Sequence, residues 1–578
     1  MPKRKLEFRK KTFEEEPNMK LYEEAVKGFK WADWEKEFDW HKTGKVNMAH
    51  EAIDRHVETW RKNKVALYYI DDERYEKYTF QEMMFLSNRF ANVLRKYGIK
   101  KGDRVFTFAP RSPEVYISIF GILKVGAIPS PLFEAFMEDA IRDRMQDSAA
   151  VAILTASFMK DRIPKKDLPA LKHVFVLDAD QDELEEGEVS WKEEMDSASK
   201  KLDRIQWLKR EDPLILHYTS GSTGKPKGVL HVQNAMIGHL ITARWVLDLH
   251  EDDIYWCTSD PGWVTGTSYG MFGPWLNGIS NVIRGGRFNP ERWYWTIEEL
   301  GITVWYSAPT AFRLLMAAGT ETAKKYDLSS LRYIVSVGEP LNPEVIRWGW
   351  EAYDGRTIHE NWWMTETGHM LIANVPTMEV RPGSMGRPFP GVEAAIIDND
   401  GNVLPANEIG NLAIKKGWPG MMRKIWKNPK KYKSYFEHDP WFLSGDSAYM
   451  DKDGFFWFQG RIDDVIKTAG ERVGPFEVES KLIEHPAVAV AGVIGKPHPI
   501  RGDIIKAFVQ LRRGYKPSEK LKKEIALFVK TGLAAHAVPR EIEFKDKLPV
   551  TRSGKIMRRV LKAWELGLPT GDLSTMED

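Results

Sequence analysis

Cysteine is all but absent. Cys257 is the single one in 578 residues, so no disulfide framework can form and no cysteine cluster can hold zinc or iron–sulfur. An excess of one charge is lacking too. Lys and Arg number 84 against 82 Asp and Glu, a net +2 that argues against a chain whose main business is coating nucleic acid. No apolar run is long enough for a membrane span of ~20 residues. The strongest, Val115 to Phe133, is broken by Gly121, Lys124, Gly126, Pro129 and Pro131. The amino terminus, Met1-Pro-Lys-Arg-Lys, is basic but lacks the apolar stretch of a secretory signal. Glu14, Glu15 and Glu16 follow where a transit peptide would be poor in acids. Repeats and low-complexity tracts are missing as well. What remains is a cytoplasmic protein with neither membrane nor nucleic acid as a partner, whose 43% hydrophobic residues can bury large cores.

At ~100–200 residues per domain, this length predicts several domains, or one large domain with a satellite. Residues 20–62 place Trp31, Trp34, Trp40 and Trp60 among charged residues at helical spacing. Helical and strand-like patterns then alternate: a helix over Phe80 to Tyr97, a strand after Gly102-Asp, a buried helix over Val115 to Val125, a strand over Ala150 to Leu154. Such alternation predicts α/β layers around a largely parallel sheet. A boundary falls near Arg461-Ile-Asp-Asp, giving a large multi-layer α/β domain over 1–462 and a small mobile α+β domain over 463–578. From Asp464 onward 21 basic residues face 15 acidic ones, while the rest has 63 against 67. A basic small piece beside a slightly acidic large one fits a cap over an anionic ligand.

The strongest local signal is His217-Tyr-Thr-Ser-Gly-Ser-Thr-Gly-Lys-Pro-Lys-Gly-Val, after the buried-strand pattern Leu214-Ile-Leu-His-Tyr. Gly221, Gly224 and Gly228 let backbone amides approach an anion. Thr219, Ser220, Ser222 and Thr223 add hydroxyls, and Lys225 and Lys227 add charge. A Walker loop would need Gly at 219 and Ser or Thr at 226; Thr219 and Pro226 exclude it.

This run resembles the signature of the adenylate-forming superfamily of acyl-CoA synthetases, luciferases and peptide-synthetase adenylation domains. Gly338-Glu-Pro, Thr365-Glu-Thr-Gly, Ser444-Gly-Asp, Gly460-Arg-Ile-Asp-Asp and Ser553-Gly-Lys follow in the family's order, from roughly residue 65 to residue 560. The resemblance implies ATP, Mg2+ and coenzyme A as co-substrates and cofactor. It places the loop on the β- and γ-phosphates, and Gly338, Glu339 and Pro340 along the adenine. Glu360, Asn361, Trp362, Trp363, Met364 and Thr365 join the nucleotide site, with Thr365 at the α-phosphate. Asp446 would take the ribose hydroxyls, since a carboxylate accepts two hydrogen bonds from a diol. Arg461 and Arg472 lie on the nucleotide side, and Glu366 would bind magnesium, a hard cation suited to oxygen ligands.

Trp362-Trp363-Met-Thr-Glu-Thr-Gly is similar to the acetate-activating branch of that family. There the second Trp closes the acyl pocket, here with Val264, Thr265 and Val337 completing the wall. The implied activity is AMP-forming acetate:CoA ligation, with propionate or another short or medium-chain acid as the alternative substrate. A carboxylate is already a nucleophile at neutral pH, so positioning and charge neutralisation replace a catalytic triad. Lys555 in Pro549-Val-Thr-Arg-Ser-Gly-Lys would serve adenylation, and a lysine acetyltransferase and deacetylase acting on it are the macromolecular partners implied. The small domain would turn about Asp463, bringing Thr265, Ala469, Gly470 and Lys530 to coenzyme A. Ala469 stands where relatives often have Ser, Lys530 where they place Arg, and Met364 where Gln is usual. His485 resembles a structural magnesium site.

Overall fold

The structure, a computed structural model, describes residues 16–220, 226–468, 471–499, 502–534, 536–551, 555–570, 573 and 576, with only the backbone of Ser220, Lys467, Glu471 and Arg472. Six parallel strands form the centre of the large domain, in the spatial order Val65–Ile70, Ser280–Arg284, Ile254–Cys257, Val304–Ser307, Tyr333–Ser336 and Ile358–Trp362. Every residue of the last three is buried, as expected of strands covered on both faces. Beyond Trp362 the same sheet continues antiparallel through Ile372–Ala373, Ser384–Pro388, Phe456–Arg461, Trp441–Met450, Gly410–Lys415 and Ala394–Ile397. The alternation predicted a largely parallel sheet, so this half is a difference. Its cause is local: a parallel pair needs a crossover of a dozen or more residues, whereas Asp451-Lys-Asp-Gly reverses the chain at once. Asp451 Oδ1 caps that turn by accepting from the amides of Asp453 (3.0 Å) and Phe455 (2.9 Å).

A second sheet is wholly parallel, ordered Ile128–Pro131, Arg104–Phe108, Ala152–Thr155, His173–Val176 and Glu188–Ser190. The predicted helix appears as Phe80–Lys96. It opens on a capping box in which Thr79 Oγ1 accepts from the Glu82 amide and Glu82 Oε2 accepts from the Thr79 amide at 2.8 Å. The buried helix Pro113–Lys124 packs on it. Lys124, fully enclosed, donates to Asp54 and to Asn88, both at 2.7 Å. A third sheet is a hairpin, Pro213–Ser220 with Pro226–Val232, edged by Lys424–Ile425.

The carboxyl-terminal domain has its own sheet of Glu471–Val473, Ile466–Thr468, Gly502–Leu511, Val488–His498 and Glu541–Phe544, mostly antiparallel. Helices Pro475–Ile483 and Glu519–Gly532 cover a core of Val478, Leu482, Val493, Ile505, Ile525 and Val529 that takes in no large-domain residue. Helix Arg558–Leu566 packs through Leu561 against Ile494, Phe508 and Leu548. Among the described residues, no helix is long and apolar enough to cross a membrane.

Candidate active site

Three neighbouring parallel strands end at one place, and the loops after them build a site, as expected at the carboxyl ends of such a sheet. Val304–Ser307 leads to Thr310 and Arg313, Tyr333–Ser336 to Gly338-Glu-Pro340, and Ile358–Trp362 to Trp363-Met-Thr-Glu366. A cavity of about 1000 Å³ lies between these loops and the small domain. Gly338, Glu339, Pro340, Glu360, Asn361, Trp362, Trp363, Met364, Asp446 and Arg461 line it from the large domain, and Lys555 from the small one. Gly338 sits at φ +97°, a left-handed conformation that glycine adopts without strain. Glu339 behind it accepts from Thr310 Oγ1 at 2.7 Å and pairs with Arg313.

Asp446 and Arg461 face each other across adjacent strands. Arg461 Nη1 donates to Asp446 Oδ1 at 2.7 Å, and Trp362 Nε1 donates to Oδ2 at 2.8 Å. Both oxygens of this buried carboxylate are thereby aimed, with lone pairs to spare for a ligand. Glu360 is different. Its Oε1 accepts from the Leu341 amide at 3.1 Å, while Oε2 is buried without a hydrogen-bond partner among the described residues. Burial pushes its pKa up to about 8, so the side chain is protonated at neutral pH.

Glu366 is buried yet ionised. Burial pushes its pKa up, but the charge of Lys227 and hydrogen bonds from Lys227 and Tyr435 outweigh that and hold it below the ordinary carboxylate value. Lys227 Nζ lies 2.7 Å from Oε1, and Tyr435 Oη donates to the same oxygen at 2.8 Å. Thr365 carries the backbone carbonyl that meets His231 Nε2 at 2.7 Å, which fixes the turn from beneath. Trp363 is held by its edge and its face: Nε1 donates to Tyr306 Oη at 3.2 Å, and Tyr269 meets the ring edge-on with centroids 5.1 Å apart. Tyr306 in turn donates to Asn361 Oδ1 at 3.1 Å. Val337 and Thr265 are buried and Val264 half-buried, with Val337, Trp363 and Val264 in one apolar cluster. Cys257 Sγ lies behind Thr265, and burial pushes its thiol up to about 11, which keeps it un-ionised and unreactive.

Lys555 closes a turn: its amide donates to Thr551 Oγ1 at 3.0 Å, and its carbonyl accepts from the Thr551 amide at 2.8 Å. Asp463 lies in the exposed turn Ile462–Asp464 between the domains. Thr219 on the first hairpin strand pairs with Lys227 on the second. Gly221, Ser222, Thr223, Gly224, Lys225, Ala469 and Gly470 lie outside the described residues, as do the side chains of Ser220 and Arg472. Lys530 is exposed on helix Glu519–Gly532 and His485 is buried in the small domain, and neither is brought to the cavity. His485 Nδ1 accepts from the Ala487 amide at 3.2 Å and its ring packs edge-on against Phe528, a turn-capping arrangement. Among the described residues, no three His, Cys, Asp or Glu side chains gather as a metal centre. Sequence reasoning missed Tyr435, Tyr306, Thr310 and Arg313. None stands in a signature, and each is tied to one only by the fold.

Residues 53–426 match the family described as AMP-binding enzyme, and residues 477–555 the AMP-binding enzyme C-terminal domain. The chain belongs to the AMP-binding enzyme family. This family's relatives include the acetyl-coenzyme A synthetase of Bacillus subtilis (strain 168), 66% identical over 97% of this chain and 98% of that protein. The acetyl-coenzyme A synthetase of Methanothrix thermoacetophila is 41% identical over 93% of this chain and 86% of its own. Among solved family structures, an anthranilate CoA ligase in complex with anthranoyl-AMP superimposes with a TM-score of 0.83 at 32% identity, covering 90% of this chain and 98% of that one.

Proposed function

We propose that the protein is an AMP-forming acetate:CoA ligase: acetate and ATP give acetyl-AMP and pyrophosphate, then coenzyme A attacks to give acetyl-CoA and AMP. The observation that carries the substrate is Trp363. Its indole lines the cavity, is clamped by Tyr306 and Tyr269, and packs in one apolar cluster with Val337 and Val264, which themselves do not line the cavity; in this reading the clamped ring limits the acid to a short one. The relatives named acetyl-coenzyme A synthetase support the same reading.

In the first half-reaction the acetate carboxylate attacks the α-phosphorus and pyrophosphate leaves. The chain supplies position and positive charge, which such phosphoryl chemistry requires. Gly338-Glu-Pro340 and Trp362 flank the adenine, Asp446 accepts from the ribose, and Lys555 neutralises charge growing between acid and phosphate. Glu366 would hold the magnesium of ATP, which, when bound, supplies charge neutralisation at the phosphates. The donor chemistry fits, because Glu366 offers a buried carboxylate and a hard cation prefers oxygen, with Lys227, now 2.7 Å from Oε1, giving way to it. In the second half-reaction the thiol of coenzyme A attacks the acyl carbon and AMP departs. We assign the large domain to 1–462 and the small one to 463–578, turning at Asp463 so that Lys555 withdraws before coenzyme A enters. The small domain's separate core supports this division.

The decisive experiment is ATP–pyrophosphate exchange with a panel of acids, followed by AMP release with coenzyme A. Exchange with acetate foremost is expected, with propionate weaker; silence with acetate would overturn the reading. A second expectation arises from the Trp362 hydrogen bond. A bond to a charged group contributes ~1.5–3 kcal/mol, so Trp362→Phe should raise the KM for ATP about tenfold or more with kcat little changed. The penalty for replacing ATP by its 2′,3′-dideoxy analogue should shrink in the same variant.

A further inference from the structure

Glu366 stands on a turn that a distant stretch of chain fixes at three points. The Met422 amide donates to the Glu366 carbonyl at 3.0 Å, Trp418 Nε1 to the Thr367 carbonyl at 2.8 Å, and Tyr435 Oη to Glu366 Oε1 at 2.8 Å. The same stretch carries Lys424–Ile425, the strand that edges the hairpin of the third sheet by pairing with Leu230 and Val229. It therefore ties that hairpin to the Thr365-Glu-Thr-Gly turn, although it belongs to neither.

Tyr435 is itself firmly held. It follows helix Pro429–Ser434, whose first turn is capped by Asn428 Oδ1 accepting from the Lys431 amide at 2.9 Å. Its amide donates to the Tyr432 carbonyl at 3.2 Å, and its carbonyl accepts from the Leu443 amide at 2.8 Å. The buried ring stacks on Phe442, with planes 4° apart and centroids separated by 5.4 Å. Little freedom is left to the hydroxyl, which is directed at one carboxylate oxygen.

Lys227 reaches that same oxygen at 2.7 Å. The two partners are unlike. An ammonium competes with any other cation for the carboxylate. The phenol stays neutral, because burial first and the charge of Glu366 second push its pKa up. It also takes up only one of the roughly four lone-pair sites of a carboxylate. Tyr435 can thus stay on Glu366 when Lys227 gives way.

We propose that Tyr435 is a positioning residue for the magnesium ligand: its hydroxyl holds the Glu366 carboxylate in one orientation, ready for the metal carried by ATP. This rests on the reading of Glu366 as that ligand. Removing a hydrogen-bond partner of a ligating group typically costs about 10–100-fold in metal affinity or activity. A residue needed only to shape the site would affect ATP equally with and without the metal.

The test is calorimetric titration of the full-length chain with ATP, without any acid, once with magnesium and once with EDTA. The ratio of the two dissociation constants is the gain in affinity that the metal confers. Tyr435→Phe keeps the ring on Phe442 and deletes only the hydroxyl. It should cut that gain about tenfold while the affinity for metal-free ATP is unchanged, which also shows the site to be folded. ATP–pyrophosphate exchange with acetate should fall about tenfold as well. AMP release from supplied acetyl-AMP and coenzyme A, in which no pyrophosphate is displaced, should keep the wild-type rate. An unaltered gain, or a loss of affinity alike with and without the metal, overturns the proposal. Glu366→Gln run alongside separates the two layers. If the gain survives in it, the magnesium role of Glu366 falls and that of Tyr435 with it. If the gain is lost there but intact in Tyr435→Phe, the positioning role alone falls.

Discussion

Lys555→Ala is expected to lower ATP–pyrophosphate exchange about 10²–10³-fold, the cost of removing one preorganised group aimed at developing charge. Release of AMP from supplied acetyl-AMP and coenzyme A should stay close to the wild-type rate. The asymmetry follows from where the lysine sits. It lines the cavity built by the nucleotide loops, and its backbone is fixed by reciprocal bonds with Thr551. Shortening the side chain removes the charge without disturbing a core, because the residue is exposed. Acetylating Lys555 would neutralise the same amine and should reproduce the same split. Equal loss in both half-reactions would remove Lys555 from the adenylation step.

Trp363→Gly is expected to give the other large effect, a change in chain-length preference. An indole held by a hydrogen bond to Tyr306 and by the edge of Tyr269 cannot move aside for a longer acid. Each extra methylene accepted in an apolar pocket contributes ~1–3 kcal/mol. The opened pocket should therefore favour butyrate or longer acids, which the parent is expected to use poorly, over acetate. Acetate should lose kcat/KM at least tenfold, since it no longer fills the space left for it. Deleting a large buried side chain costs ~3–5 kcal/mol of stability, so a melting curve should accompany the acid panel. An unchanged chain-length profile in a folded variant would rule out Trp363 as the pocket wall.

Much of this was legible in the sequence because the chemistry is concentrated in short runs. Gly338-Glu-Pro, Trp362-Trp363 and Asp446 line one cavity as their order suggested, and the helices Phe80–Lys96 and Pro113–Lys124 match those read over Phe80 to Tyr97 and Val115 to Val125. What escaped was of another kind. Lys227 reads as one more cation of the phosphate loop, yet it is turned onto Glu366. Tyr435, in the unremarkable run Lys430-Lys-Tyr-Lys-Ser-Tyr, donates to that same carboxylate across 69 positions of chain. Trp362 reads as part of the nucleotide site, but the hydrogen bond of its indole nitrogen to Asp446 has no periodicity to announce it. The antiparallel half of the central sheet escaped for a similar reason: whether a strand returns beside its neighbour or crosses over depends on connection length, not on the alternation within it.

The self-contained core of the small domain has a thermodynamic consequence. A small-domain core that takes in no large-domain residue need not melt with the rest of the chain, so a calorimetric scan of the free protein should resolve two cooperative transitions instead of one. A nucleotide held between Asp446 and Lys555 binds only when both are folded, and mass action then raises the weaker transition toward the stronger. The merging of two heat-absorption peaks as ATP is added would report closure of the cavity directly, without any turnover of substrate.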